Sequence, residues 1–402
     1  MIIEIHGAGF KNKGAELMLR AVVDQLSYHL PQFEPAIDPT YGPFNSRCKL
    51  RMRQMFPLRS HVGTRGFSKR FRRQRLFALL GGGRFFRYIV SGWLSTYGCV
   101  SLSDVDGLID IAGFAYTDQW GSQPTKDLAE LTQYYKSRKK PVLLLPQAFG
   151  PFQKDETRSA FRKVIDNASL IFARDRKSYE YVVELASDPN KVLRAPDITL
   201  FYPSFSNNEV QLHSDYICIV PNIRMMDQGK QQWSEKYEVY LTLIAQEIIN
   251  RGLHVRIVVY DASGHDLTIA RTIFSKVASS CVTIVDEQDP VALKQVIGGS
   301  LMIIGSRYHS LIAAFSKKVP AIALGWAHKY ETLFEDFGCE QFLVSSETPI
   351  EAVLESVHHL IDEGVNMSYR HQIAERFQRM FLVNQKMWKR VSEVLTSSAD
   401  IR

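Results

Sequence analysis

Arg307 and His309 stand two residues apart in "GSRYHSLIAAFSKKVPAIALGW", directly after the apolar run "LMIIG". A guanidinium and an imidazole at the end of a strand suit two kinds of work. They can cap and pack a turn. Alternatively, Arg307 holds a carboxylate or phosphate through paired hydrogen bonds while His309 moves a proton. After the next apolar run, "PAIAL", the chain brings Trp326, His328, Lys329 and Tyr330 to the same edge. Taken singly, each is commonly structural. Together they are the cations that an acidic ligand requires.

Other chemistry-bearing residues also follow short apolar runs. "HGAGFKNKGAEL" places Gly7, Gly9, Asn12 and Gly14 between a strand and a helix. Glycines there let backbone approach an anion at a helix start, although a tight turn alone also accounts for them. The spacing is GxGxxxxG, which supports a dinucleotide site only weakly. "DGLIDIAGFAYTDQWG" exposes Asp118, which could bind or deprotonate a sugar hydroxyl or cap the helix near Thr125. "LLLPQAFGPF" sets Gln147 at a strand end. "LIFARDRKSYEYV" does the same with Arg174, as an anion binder or as the partner of Asp175 or Asp197.

The elements that position these residues repeat one rhythm: apolar run, Gly- or Pro-containing turn, helix-period segment. Strands are expected in "IIEIHG", "GLIDIAG", "PVLLLPQ", "LIFAR", "YICIVPN", "HVRIVVYD", "VTIVDE", "LMIIG" and "PAIAL". Helices are expected between them, beginning with Gly14–His29 and ending with His309–Ser316. Continuous apolar strands alternating with helices predict α/β architecture with parallel sheets covered on both faces. The polar stretch "PSFSNNEVQLHSD" is the best linker. The expectation is two Rossmann-like domains, 1–203 and 204–367, facing a cleft, and a helix over 368–402 that returns to the first domain by analogy with such folds.

Residues 39–103 break the rhythm. They contain 13 Lys and Arg and no Asp or Glu, against a net charge of +7 for all 402 residues, so the rest of the chain is net negative. "RGFSKRFRRQRLFALLGGGRFFRYIVSGWL" mixes arginines with aromatic and aliphatic residues. One reading is an irregular helical elaboration with a solvated basic face. Another is contact with an anionic membrane surface. Nucleic acid is disfavoured because no nucleic-acid module pattern is present.

Composition bounds the rest. Apolar residues make up 45% and charged residues 23%, as in an ordinary globular protein. No run approaches a membrane span, and "MIIEIHGAGF" resembles a first strand more than a signal peptide. Cys48, Cys99, Cys218, Cys281 and Cys339 are scattered, odd in number and without a CxxC pair. That points to a reducing compartment and away from a disulfide framework or a zinc site.

At these residues the chain resembles the polysaccharide pyruvyl transferases. "SRYHSLIAAFSKKVPAIALGWAHKYETLFEDFG" (306–338) looks like the family's R-x-H-[SA]-x-I-x-A element, with its Pro-initiated strand, aromatic-x-x-K step and terminal Gly. "NKGAELML", "PQAFGPF", "ARDRKS" and "APDITLFYP" also look like the family and occur in its order. Where many members carry "GGG", this chain has "IAGFAYTD", in which Gly113 and Asp118 match. The resemblance implies a fold similar to GT-B glycosyltransferases. It also implies transfer of pyruvate from phosphoenolpyruvate to two hydroxyls of a sugar in a polysaccharide or lipid-linked saccharide, with no cofactor and no metal. It casts His309 as general acid, Asp118 as base, and Arg307, Arg174, Lys329, Gln147, Asn12 and Gly14 as substrate-binding residues. The location it implies is cytoplasmic, at the membrane face if residues 39–103 bind lipid. The competing readings are a GT-B glycosyltransferase with a nucleotide-sugar donor and a non-catalytic, membrane-associated assembly protein.

Overall fold

A computed structural model describes residues 1–10, 12–56, 95–203, 214–227, 233–234, 236–261, 264–325 and 328–397. Most of the basic stretch, most of the expected linker and Trp326 lie outside the described residues. The chain divides into two compact units. The first comprises Met1–Phe10, Val22–Ala195 and Lys386–Arg402; the second comprises Lys11–Ala21 and Pro196–Gln385.

The first unit is built on eight parallel strands. In chain order these are β1 (Ile2–His6), β2 (Glu34–Ile37), β3 (Arg53–Phe56), β4 (Cys99–Ser101), β5 (Gly107–Asp110), β6 (Val142–Gln147), β7 (Leu170–Ala173) and β8 (Val192–Arg194). Their order across the sheet is β4-β3-β2-β1-β5-β6-β7-β8. Helices such as Gln123–Lys136 and Asp155–Asn167 alternate with the strands. β6 and β7 are buried at every residue, which explains their unbroken apolar character. Strand order reverses between β1 and β5, where His6 registers with Asp110.

The second unit repeats the scheme with β9 (Tyr216–Val220), β10 (His254–Val258), β11 (Val282–Val285), β12 (Ile303–Gly305), β13 (Ala321–Leu324) and β14 (Leu343–Val344). These are also parallel, in the order β11-β10-β9-β12-β13-β14, with the reversal between β9 and β12. Ligands of open α/β sheets bind beyond the carboxyl ends of strands at such reversals. The helix Tyr308–Ser316 leaves β12 there and is almost wholly buried.

Three features differ from the sequence expectation. The division falls after Ala195, not Pro203. Asp197 caps the turn Ile198–Phe201, and the Lys294 ammonium donates to Thr199 O (2.6 Å) and Tyr202 O (2.5 Å), so the turn belongs with the second unit. Residues 11–21 also group there, because Lys13 Nζ donates to Val259 O (2.9 Å) and Glu287 O (2.7 Å). Finally, the ends of 39–103 are not simply helical. A short helix, Phe44–Lys49, is followed by β3, and β4 closes the stretch, the two strands extending the first sheet. The C-terminal helix spans Glu363–Ser397, with its residues from Lys386 grouped in the first unit.

Candidate active site

At the β9/β12 reversal, Asn222 Nδ2 donates to Ser306 O at 3.0 Å and ties the two strand exits together. Arg307 then occupies the N-cap position of Tyr308–Ser316. Its Nε donates to Asp266 Oδ2 at 2.7 Å and its Nη2 to Oδ1 at 2.5 Å, a bidentate pair. Asp261 Oδ2 lies 3.9 Å from Nη2. Asp266 is fully buried and also accepts from Ile223 N. Burial opposes the Arg307 charge, but the two aspartates more than offset it and raise the guanidinium pKa. Nη1 makes no hydrogen bond among the described residues, and the Arg307 side chain remains 19% exposed. Arg307 is therefore both a lock on the loop and a donor with one edge left to offer.

His309 lies one residue into the helix. A Cβ built on Gly14 would sit 2.2 Å from His309 Nδ1 and 2.5 Å from its Cγ. The imidazole thus occupies the space that a side chain at position 14 would need. Its Nε2 is 3.9 Å from Oδ2 of the buried Asp197, whose Oδ1 accepts from Thr199. The backbone of His309 accepts from Tyr260 Oη at 3.3 Å. Asn12 serves the segment beneath: its Oδ1 accepts from Gly14 N (2.9 Å) and Ala15 N (3.3 Å), capping the helix Lys13–His29, and its backbone bridges to Asp261. The structure accordingly gives Asn12 a capping role, and gives Gly14 that of making room for His309. Lys329 reaches the same neighbourhood, its Nζ 5.4 Å from the ring centroids of both Tyr308 and Tyr330. Tyr330 Oη in turn donates to Ser306 O.

The remaining candidates belong to the first unit. Gln147 is buried, and its Nε2 donates to Asp110 Oδ1 at 2.8 Å. Arg174 is buried, with its backbone N–H on Gln147 O. Asp175 caps the helix Arg176–Leu185, accepting from Ser178 N and the Ser178 hydroxyl. The Asp118 carboxylate accepts from Gln153 N (2.6 Å) and Lys154 N (3.3 Å), so it caps the approach to Asp155–Asn167 and not a helix at Thr125. The sequence reading passed over His6 and Asp110 here, and Asp261 and Asp266 as partners in the second unit. For His6 and Asp110 the signal was present: each ends an apolar run, and those runs are adjacent strands.

The profile described as "Polysaccharide pyruvyl transferase" matches residues 12–328. The chain belongs to the polysaccharide pyruvyl transferase family. Among curated proteins, this family member is 21% identical over 391 residues to "Amylovoran biosynthesis protein AmsJ" of Erwinia amylovora, covering 90% of this chain and 92% of that protein. Solved structures share its fold at low identity. A glycosyltransferase from Rickettsia africae is 14% identical with a TM-score of 0.55, covering 98% of each chain. The UDP-GlcNAc 2-epimerase of Neisseria meningitidis is 12% identical with a TM-score of 0.55, covering 96% of this chain and 99% of that one. Anabaena Alr3699/HepE, solved with UDP-glucose, is 11% identical with a TM-score of 0.55, covering 98% and 99%. These likenesses assign this pyruvyl transferase family member a GT-B-like α/β fold. Among its described residues, no helix is long and apolar enough to cross a membrane.

Proposed function

We propose that the chain transfers the pyruvyl group of phosphoenolpyruvate to two hydroxyls of a saccharide, forming a cyclic ketal and releasing phosphate. Family membership supports the transfer, and the relative named for amylovoran biosynthesis supports a polysaccharide intermediate as acceptor. The observation that carries the reading is the seating of His309: an imidazole fixed on Gly14, at a strand exit beside Arg307, with Asp197 3.9 Å from Nε2. His309 gives a proton to the methylene carbon of the donor, and Asp197 stabilises the charged ring before transfer. One hydroxyl attacks the resulting cationic carbon and loses its proton. The carbon–oxygen bond to phosphate then breaks, and the second hydroxyl closes the ring with loss of its proton. Arg307, through its Nη1 edge, and Lys329 hold the donor's phosphate and carboxylate. Arg174 serves as a further anion-binding residue. Acceptors carried on lipid would place the chain at a membrane face, where residues 39–103 make the contact.

The test is phosphate release from phosphoenolpyruvate with a panel of hexose and amino-sugar acceptors. His309→Ala should abolish release while leaving the melting temperature within a few degrees. Thermal stabilisation by nucleotide sugars and not by phosphoenolpyruvate would replace this reading with that of a glycosyltransferase.

A further inference from the structure

We infer that Lys294 is a positioning residue of the proton-transfer step: it holds the turn Ile198–Phe201 so that Asp197 faces His309. The inference rests on the pyruvyl-transfer reading for the role of His309. Every residue in it belongs to the second unit. A short series of links joins the ammonium to the imidazole. Lys294 Nζ donates to Thr199 O at 2.6 Å and to Tyr202 O at 2.5 Å. Thr199 N and Thr199 Oγ1 donate to Asp197 Oδ1 at 2.9 and 2.6 Å. Asp197 Oδ2 then lies 3.9 Å from His309 Nε2.

Thr199 is the pivot. Its N–H and hydroxyl fix one oxygen of the carboxylate, and its carbonyl is pinned by Lys294. Lys294 is 2% exposed, and Asp197 and Thr199 are 1% exposed, so bulk water does not compete for these bonds. The other side of the imidazole is built alike. Gly14, which makes room for the ring, follows Lys13, whose Nζ is pinned on Val259 O and Glu287 O. A buried lysine thus anchors each of the two segments that flank His309. The two lysines differ in company. Burial lowers the Lys13 pKa, and Asp286, Asp261, Glu287 and Asp266 oppose the fall. For Lys294, burial and then Lys317 lower the pKa to about 7; Asp197 opposes the fall and Lys318 adds to it. A buried ammonium with so little compensation is a costly way to satisfy two carbonyls. Stability given up for a fixed geometry is a mark of functional sites.

In this arrangement Lys294 touches neither donor nor acceptor. It acts by keeping the separation of carboxylate and imidazole fixed. The attraction between a carboxylate and a ring that carries the proton weakens as they separate. Without the ammonium, Thr199 O and Tyr202 O lose a shared donor, the turn gains freedom, and Asp197 moves with it.

The experiment uses the full chain with phosphoenolpyruvate and the acceptor found by the panel. Lys294→Met should lower kcat by about 10- to 10²-fold, the upper figure being the cost of a misplacement of about 1 Å. The phosphoenolpyruvate concentration giving half-maximal thermal stabilisation should stay within about threefold. The melting temperature near pH 6 should not fall, which separates lost turnover from lost fold. The double variant Asp197→Asn/Lys294→Met should be no slower than Asp197→Asn alone, because the lysine acts through the carboxylate. A purely structural lysine would multiply the two losses. Thr199→Val removes the hydroxyl bond to Asp197 while leaving the carbonyl on Lys294, and should also be slow; Thr199→Ser should recover most of the rate. If wild type turns over and folded Lys294→Met keeps its rate within about threefold, or the losses multiply in the double variant, this inference is overturned alone. If Lys294→Met does not fold, Thr199→Val decides, and a rate within about threefold of Thr199→Ser overturns the inference. If wild type releases no phosphate with any acceptor, the pyruvyl-transfer reading falls and takes this assignment with it.

Discussion

The pairing of Gly14 with His309 makes a sharp residue-scale prediction. Gly14→Ala forces the imidazole away, because the new methyl carbon would lie 2.2 Å from Nδ1. Displacing a catalytic group by about 1 Å can cost on the order of 10²-fold, so turnover should fall by that much, together with the melting temperature. Removing the ring as well, in Gly14→Ala/His309→Ala, should restore the melting temperature without activity. No such recovery would mean that the imidazole does not occupy that space. Asp266→Ala makes a second prediction. It leaves the Arg307 guanidinium without its bidentate partner, which typically costs about 3–5 kcal/mol for a buried pair and should be visible in denaturant unfolding. The placement of Arg307 and His309 at a strand exit was legible because it needs only local pattern. Their partners were not: Asp266 lies 41 residues from Arg307, and His6 lies 104 from Asp110. Such pairs are set by strand order and register, which one-dimensional spacing does not encode.

At the scale of elements, Asn12 and Lys294 show how the second unit keeps its borrowed segments. Asn12→Ala removes the cap of Lys13–His29 and should cost about 1 kcal/mol, measured as a shift in denaturation midpoint. Lys294 anchors the turn Ile198–Phe201 from the helix Pro290–Gly298. Burial, helped by Lys317 and Lys318, lowers its pKa from 10.5 to about 7. Between those values the unfolded chain holds a proton that the folded chain has lost, so this residue's contribution to stability rises with pH across that window. Lys294→Met should therefore gain most on wild type near pH 6 and keep only part of that gain near pH 9 in melting experiments. A difference independent of pH would show that Lys294 does not titrate on unfolding. The strands β6, β9 and β13 were readable because they are continuous, wholly buried apolar runs. β3 ("RQMF"), β8 ("VLR", with two exposed residues) and β14 (two residues) are short pieces at or near sheet edges, and they carry too little hydrophobic pattern to stand out.

For the whole molecule, charge is the property read most directly from sequence. A stretch with 13 basic and no acidic residues in a chain otherwise net negative predicts binding to vesicles of anionic lipid. That binding should weaken steeply between roughly 0.1 and 0.5 M salt as screening shortens, in a co-sedimentation assay; indifference to lipid charge would remove the membrane contact. The two-sheet architecture was also legible, from the alternation of apolar runs and helices. The way the chain is shared between the units was not. Residues 11–21 group with the second unit through long-range anchors such as Lys13 on Glu287, 274 positions apart. That anchor has a consequence for synthesis. At about 5–20 residues per second, the ribosome needs roughly 15–55 s after making Lys13 to make the carbonyl it will bind. Until then Lys13, buried in the finished protein, lacks that carbonyl partner. An excised 1–195 fragment would keep that condition permanently. The nascent chain is thus expected to need holding by chaperones through most of its translation, and the amino-terminal half to be recovered mainly as aggregate when expressed alone.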